Sequence, residues 1–310
     1  MAFSKSNLFP VLLVDIGNSF VKWALVDNQG DYLHAGSYKT DHLHQNQFFQ
    51  IDANKTDDLN KANKAIHQFL SDWHHLSRPN SIWFTNVTGL SVAKNFLAVS
   101  QTIWPLIQVN EICACQEQCG VKNSYQNTSK LGSDRWAALI GARSCYPDEA
   151  ILIASFGTAT TTELLDKNGY FIGGLIIPSW NLMAQSLAEN TANLPLMTTN
   201  LGSSYNHSTL LSKINFKENK SVATDTENAI AIGCIGAQVA LIERLWHCYT
   251  KKWNTDLRCV ITGGGTATIA SQLSIPFTKH NDLIFEGMLE IVRTAESKKF
   301  SRRATTTVND

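Results

Sequence analysis

The chain has 310 residues, 44% of them hydrophobic and 17% charged, with 26 Lys and Arg balanced by 26 Asp and Glu. That length makes one large domain or two ordinary ones and buries a core without disulfide or metal staples. Zero net charge and a mixed composition exclude collagen-like, disordered and coiled-coil chains and argue against a dedicated nucleic-acid or anionic-membrane binder.

The apolar run Phe9 to Ile16 is too short to span a bilayer and is stopped by Asp15. The first eight residues carry one Lys and no small-residue cleavage site, so no signal peptide is expected. Val11 to Val14 reads as a strand ending in Asp15-Ile16-Gly17-Asn18-Ser19. Phe20 to Val26 is a second strand, Asp27-Asn28-Gln29-Gly30-Asp31 a turn, and Tyr32 to Tyr38 a third strand. Residues 41–62 are polar and read as a loop. Ala62, Ile66, Phe69, Leu70 and Trp73 share one face of a helix over Lys61 to Trp73. Ser81 to Val87 reads as a strand and Val92 to Val99 as a helix. Ile103 to Val109 reads as a strand that Pro105 confines to an edge.

Cys113, Cys115 and Cys119 form Cys-x-Cys-x3-Cys with no nearby His. A zinc site wants Cys-x2-Cys pairs and a fourth ligand, so this segment reads as a strand running into a loop. Cys145, Cys234, Cys248 and Cys259 stand singly among apolar segments and read as buried thiols of a reducing cytoplasm. Residues 116–130 are polar and form the expected interdomain connection, which divides the chain into 1–124 and 125–310. Leu131 to Cys145 has helical spacing, and Ala150 to Ala154 is an apolar strand.

Here the chain repeats itself. Val14-Asp15-Ile16-Gly17-Asn18-Ser19 matches Ala154-Ser155-Phe156-Gly157-Thr158-Ala159, and Asp27-Asn28-Gln29-Gly30 matches Asp166-Lys167-Asn168-Gly169. The offset is 140 residues at the first glycine and 139 at the second. Repetition at about half the chain length implies a duplicated domain, each copy a β-meander with helices. Trp180 to Ala192 and Thr226 to Lys251 read as helices, with a polar loop over 197–224 between them. Leu257 to Thr262 is a strand entering Gly263-Gly264-Gly265, and Asp282 to Val292 is a closing helix. The tail bears Lys298, Lys299, Arg302 and Arg303 and reads as a solvated end.

A strand ending in Asp-x-Gly-Asn before a hairpin suits polyphosphate binding. Glycine lets backbone N–H groups approach oxygens, and Asp15 can hold hydrated Mg²⁺. Gly157-Thr158-Ala159-Thr160-Thr161 offers donors to the other side of a triphosphate. Either loop alone reads as an ordinary hairpin with an Asx-type start. The repetition, together with Gly263-Gly264-Gly265 after a late strand, turns the reading towards an ATP clamp. Neither the P-loop nor the Rossmann fingerprint is present. Leu131-Gly132-Ser133-Asp134-Arg135-Trp136 places an acid beside an Arg at a helix start. Arg suits a carboxylate or phosphate, and Asp can accept the proton of an attacking hydroxyl. Taken alone, the pair reads sooner as an acid on the helix dipole with an Arg in a surface ion pair.

Taken together these motifs resemble the type III pantothenate kinases, the Baf-like branch of the acetate kinase, sugar kinase, Hsp70 and actin superfamily. The resemblance rests on Asp15-Ile16-Gly17-Asn18-Ser19 with Lys22, Tyr125 followed by Leu131 to Trp136, and Gly157 to Thr161. Gly173-Gly174-x3-Pro178, Thr226-x2-Ala229-Ile230, Thr262-Gly263-Gly264 and Asp282-Leu283-x2-Glu286-Gly287 follow in order. It implies an α/β fold of duplicated actin-like (ribonuclease H-like) domains, each a mixed β-sheet with flanking helices. It also implies a cytoplasmic homodimer that phosphorylates pantothenate with ATP and Mg²⁺ towards coenzyme A, binding neither nucleic acid nor membrane. Carried over by motif, Asp134 is the base. Tyr125, Gly132, Arg135 and Thr226 hold pantothenate. Asp15, Gly17, Asn18, Lys22, Gly157 and Thr158 surround phosphates and Mg²⁺, with Gly263 and Gly264 beside adenosine.

The chain departs from that pattern where the resemblance implies an acid ligand for a monovalent cation, K⁺ or NH₄⁺: the position is Ser155, and a neutral hydroxyl is a poor substitute for a carboxylate. Further departures are Glu163 for an Asp, Ser179 after Pro178, and Thr128 after Asn127. Ser155 and the altered Pro178-Ser179 motivate a second reading, a catalytically weak or inactive paralogue that binds a ligand or partner.

Overall fold

Val11–Ile16 (β1) is buried along its whole length and pairs antiparallel with Phe20–Val26 (β2), which pairs antiparallel with Tyr32–Lys39 (β3). These elements come from a computed structural model that describes residues 8–40, 43, 72–195 and 222–306, with side chains to residue 297. Ser81–Asn86 (β4) lies parallel to β1, and Gln108–Glu111 (β5) parallel to β4, so the sheet order is β3-β2-β1-β4-β5. Leu90–Ile103 (α1) links β4 to β5 and buries Val92, Phe96 and Val99. An aromatic cluster fills the core on this side: Trp73 stacks on Trp104 and meets Trp23 and Phe96 edge-on.

The second meander is Ala150–Phe156 (β8), Ala159–Leu165 (β9) and Tyr170–Pro178 (β10), again antiparallel throughout. Leu257–Thr262 (β11) runs parallel to β8, and Thr278–Lys279 (β12) parallel to β11. These five strands stand in the order β10-β9-β8-β11-β12, the same 3-2-1-4-5 arrangement as the first sheet. The duplication expected from the sequence is therefore present in topology and strand direction. Its turns are built alike: Asp27 Oδ1 accepts from the N–H of Gln29, Gly30 and Asp31, and Asp166 Oδ1 from those of Asn168 and Tyr170, all within 3.0 Å. Gly30 and Gly169 take positive φ, at 99° and 85°, which glycine adopts without strain. The one-residue change of offset arises between the first two strands of each copy: three residues, 17–19, separate β1 from β2, but two, 157–158, separate β8 from β9.

Trp180–Asn190 (α3), Thr226–Trp253 (α4) and Thr266–Ala270 (α5) belong to the second copy. α4 is long and apolar enough to cross a membrane, yet Ile230, Ile235, Val239 and Ile242 are buried in a core with Leu152, Ala154 and Ile261. By compactness the chain divides into Met1–Cys145 with Leu283–Asp310, and Tyr146–Asp282. This differs from the expected division at 124/125, because the last helix, Leu283–Thr306 (α6), packs back on Ser133–Cys145 (α2).

That packing has a specific cause. A Cβ on Gly287 would overlap the Ala137 carbonyl, and one on Gly141 would overlap the Leu283 carbonyl, so the two helices cross backbone to backbone. Gly287→Ala is expected to destabilise the protein by about 3 kcal/mol, because the clash is with rigid backbone. A urea midpoint equal to that of the wild type would refute this close-approach account.

Several local expectations need correction. Ile103 ends α1 and Pro105 lies in the following turn, so the edge strand is only β5. Residues 116–130 are not a bare connection: they contain the hairpin Glu117–Gln118 (β6) with Val121–Asn123 (β7) and a 3-10 turn over Thr128–Lys130. Leu131 precedes the helix, which starts at Ser133. Cys248 is exposed and Cys145 half-buried, unlike the buried Cys234 and Cys259. The loop at 41–62, apart from Leu43 in its described neighbourhood, most of the Lys61 to Trp73 helix, most of the 197–224 loop and the side chains of the basic tail lie outside the described residues.

Candidate active site

The first unit brings together most of the expected site residues. Asp15 is the fifth residue of β1, opposite Lys22 on β2 and Thr85 on β4. It is buried, and Thr85 Oγ1 donates to its Oδ1 at 2.7 Å. Burial, reinforced by the negative charge of Asp134, pushes the Asp15 carboxyl up to about 6, against the pull of Thr85 and Lys22. The loop after β1 is closed by Gly17 N–H donating to Phe20 O at 3.0 Å and braced by Thr40 Oγ1 donating to Gly17 O at 2.6 Å. Asn18 is exposed on this loop.

The second acid stands at the start of α2. Gly132 O accepts the first helical bond, from Trp136 N–H. Asp134 Oδ1 accepts from Arg135 N–H at 2.7 Å and lies 2.6 Å from where a Gly132 Cβ would be, so a side chain at 132 would push the carboxylate from this place. Burial also pushes the Asp134 carboxyl up. Ser133 Oγ accepts from Asn86 N–H at 2.9 Å and donates to Asn86 O at 3.2 Å, tying the helix start to the end of β4. Arg135 is buried; its Nη1 donates to Tyr125 Oη at 3.2 Å and its guanidinium lies 5.9 Å from the Tyr125 ring centroid. Asn123 Oδ1 accepts from Tyr125 N–H, and Trp136 Nε1 donates to Gln118 Oε1, which fixes the surrounding loop.

The second unit holds the remaining candidates. Ser155 on β8 pairs with Thr161 on β9 and Thr262 on β11, the places that Lys22 and Thr85 take around Asp15. Gly157 N–H donates to Ala159 O at 3.0 Å, closing the second loop, where Thr158 is exposed. Gly263 has φ of 96° and its absent Cβ would lie 2.5 Å from Phe156 O, so packing against this loop accounts for it as glycine. Nothing lies within 4 Å of a Cβ on Gly264, which leaves open space there. Thr226 opens α4, exposed, behind the cap in which Asp225 Oδ1 accepts from Asn228 N–H at 2.9 Å.

Sequence reading missed Thr85, Asn86 and Ser133. The signal available was weak: two polar residues ending an apolar strand, and a Ser inside a motif whose neighbours draw attention. Among the described residues there is no group of three His, Cys, Asp or Glu that could hold a metal ion. Asp15 is buried with its Oδ1 held by Thr85 Oγ1 at 2.7 Å, and a fixed carboxylate oxygen suits a hard divalent cation, which prefers oxygen ligands.

A family model for type III pantothenate kinase matches residues 11–248. The type III pantothenate kinase of Paraburkholderia xenovorans (strain LB400) is 38% identical over 289 residues, covering 93% of this chain and 97% of that one. That of Burkholderia multivorans is 38% identical over 289 residues, covering 93% and 98%. Among solved structures, a conserved Baf family protein from Campylobacter jejuni, described as a transcriptional activator, aligns with TM-score 0.52 at 18% identity, covering 92% of this chain and 99% of that one. At that identity the likeness concerns the fold alone.

Proposed function

This chain belongs to the type III pantothenate kinase family, and from that premise we propose how its own residues carry out the ATP-dependent phosphorylation of pantothenate, the opening step towards coenzyme A. The observation that carries the reading is the arrangement at the start of α2, where Asp134 adjoins the Arg135–Tyr125 pair. Arg135 is a suitable partner for the pantothenate carboxylate, with Tyr125, Gly132 and Thr226 assigned to the same substrate. Asp134 accepts the proton as the substrate hydroxyl oxygen bonds to the γ-phosphorus of ATP and ADP leaves. Asp15 would hold Mg²⁺, which would supply neutralisation of charge on the phosphate oxygens when bound. Asn18, Lys22, Gly17, Gly157 and Thr158 supply donors and positive charge to the phosphates, and the open space at Gly264, beside Gly263, suits adenosine. Phosphoryl transfer needs little beyond positioning and charge stabilisation, so this inventory is sufficient.

The enzyme is a cytoplasmic homodimer in this reading. Leu175 and Ile176 on β10, 44% and 62% exposed, and Leu182 and Leu187 on α3 supply apolar surface for the second copy. The test of function is ADP release with Mg-ATP and pantothenate, run in parallel in Na⁺ and K⁺. Pantothenate-dependent release is expected, and its absence from folded protein would overturn the reading in favour of a ligand-binding paralogue.

The residue at 155 does not fit a carboxylate-held monovalent cation, since Ser155 offers one neutral oxygen. No step is assigned to such an ion. Ser155→Asp is expected to increase the stimulation of turnover by K⁺, and a flat K⁺ titration in both proteins would remove Ser155 as the cause.

A further inference from the structure

We propose that the C-terminal pair of β4, Thr85 and Asn86, positions both carboxylates of the kinase site, Thr85 by holding the Asp15 side chain and Asn86 by holding the start of the helix that carries Asp134. The proposal rests on the kinase reading for what the two acids do, and on the hydrogen bonds for how they are held. β1 and β4 run parallel with Asp15 beside Thr85 and Ile16 beside Asn86. Thr85 is fully buried, and its hydroxyl donates to Asp15 Oδ1 at 2.7 Å. A short bond from a β-branched side chain with restricted χ1 fixes the plane of the carboxylate.

One residue further, the backbone of Asn86 grips Ser133 twice, donating N–H to Oγ at 2.9 Å and accepting from the same hydroxyl at 3.2 Å. Ser133 is the residue before Asp134, so this bond sets where the second acid emerges. The Asn86 side chain meanwhile closes the turn beyond β4: Oδ1 accepts from Thr88 N–H and Oγ1, and Nδ2 donates to Gly89 O. Val87 N–H adds a bond to Ile16 O at 3.2 Å, extending the β1–β4 pairing past the strand ends. Adjacent residues of one interior strand therefore fasten one acid each, Thr85 directly and Asn86 through Ser133. Thr85 and Asn86 touch no reacting atom in this account; they are positioning residues.

The experiment compares Thr85→Val, Thr85→Ser and Ser133→Ala with wild type, using calorimetry of ADP binding with and without Mg²⁺ alongside steady-state kinetics. Thr85→Val keeps the shape and removes the donor. It is expected to weaken Mg²⁺-dependent ADP binding about tenfold, the size of one charge-assisted hydrogen bond. Metal-free ADP binding and the KM for pantothenate should stay unchanged, and Thr85→Ser should recover the Mg²⁺ effect. Ser133→Ala is expected to lower kcat about tenfold with the Mg²⁺ effect on ADP binding intact, because it loosens only the helix start. A structural role alone would shift the thermal midpoint and all parameters together. Unchanged Mg²⁺-dependent ADP binding in Thr85→Val, or failure of Thr85→Ser to recover it, would overturn the assignment of Thr85. A Ser133→Ala enzyme with wild-type kcat would overturn that of Asn86. Binding is read independently of turnover, so a wild type that binds Mg-ADP without phosphorylating pantothenate would expose failure of the kinase reading separately.

Discussion

Asp134→Asn is expected to lower kcat by about 10²–10⁴-fold, the usual contribution of a positioned general base. The substitution keeps an oxygen where Arg135 N–H donates and keeps the volume that Gly132 leaves free. It removes the group that takes the hydroxyl proton. ADP affinity in the presence of Mg²⁺ should change little, since the residue proposed to face the metal is Asp15. Loss of the Asp134 charge also removes one of the causes that raise the Asp15 carboxyl, which favours its ionised, metal-binding form. Steady-state kinetics with calorimetric nucleotide binding checks both halves. A variant as active as wild type would sink the assignment of Asp134 as base.

Asp15→Asn should produce opposite effects on activity and stability. The carboxyl stands at about 6 in the folded protein, well above the ordinary 3.8, chiefly through burial. The folded state therefore holds a proton more tightly than the unfolded chain. Its stability contribution falls as pH rises from about 4 to about 6 and stays low above that. A neutral Asn avoids this loss, so ligand-free Asp15→Asn should be more stable than wild type at pH 7.5 by up to about 3 kcal/mol. The difference should shrink towards zero as pH falls to about 4. Turnover should drop by at least about 10²-fold, as expected when a preorganised charge partner of the reacting phosphates is lost. Addition of Mg-ADP should stabilise the wild type much more than the variant. Wild-type activity tested below pH 6 should decline as Asp15 takes up its proton. Urea melts across pH 4–8 decide the matter; equal stability of the two proteins at pH 7.5 would remove the buried-charge account.

Features set by short stretches of chain were legible in the sequence. The Asp27 and Asp166 turns are each built by one side chain bonding amides within four residues, so their sequence signature carries the structure with it. Strand-length apolar runs around them sufficed to reveal two copies of one meander. The Gly132-Ser133-Asp134-Arg135 segment was likewise readable, because a helix start announces itself locally. Pro105 misled for the same local reason: it marks a turn as readily as an edge strand, and only the pairing of β5 with β4 separates the two.

The sequence by itself thus determined the duplicated α/β plan, the two phosphate-loop candidates, and the acid beside an Arg that the family membership makes intelligible. Tertiary structure alone decided that α6 returns to α2, since the cause is two glycines whose bare backbones meet across the chain. It alone decided that Thr85 holds Asp15 and that Asn86 holds Ser133, contacts separated by 70 and 47 residues. A hydrogen bond of that kind leaves no periodicity in the chain. Each partner is an ordinary polar residue until parallel pairing of β1 with β4 brings them within reach, and burial then turns an ordinary aspartate into one whose charge must be held in place.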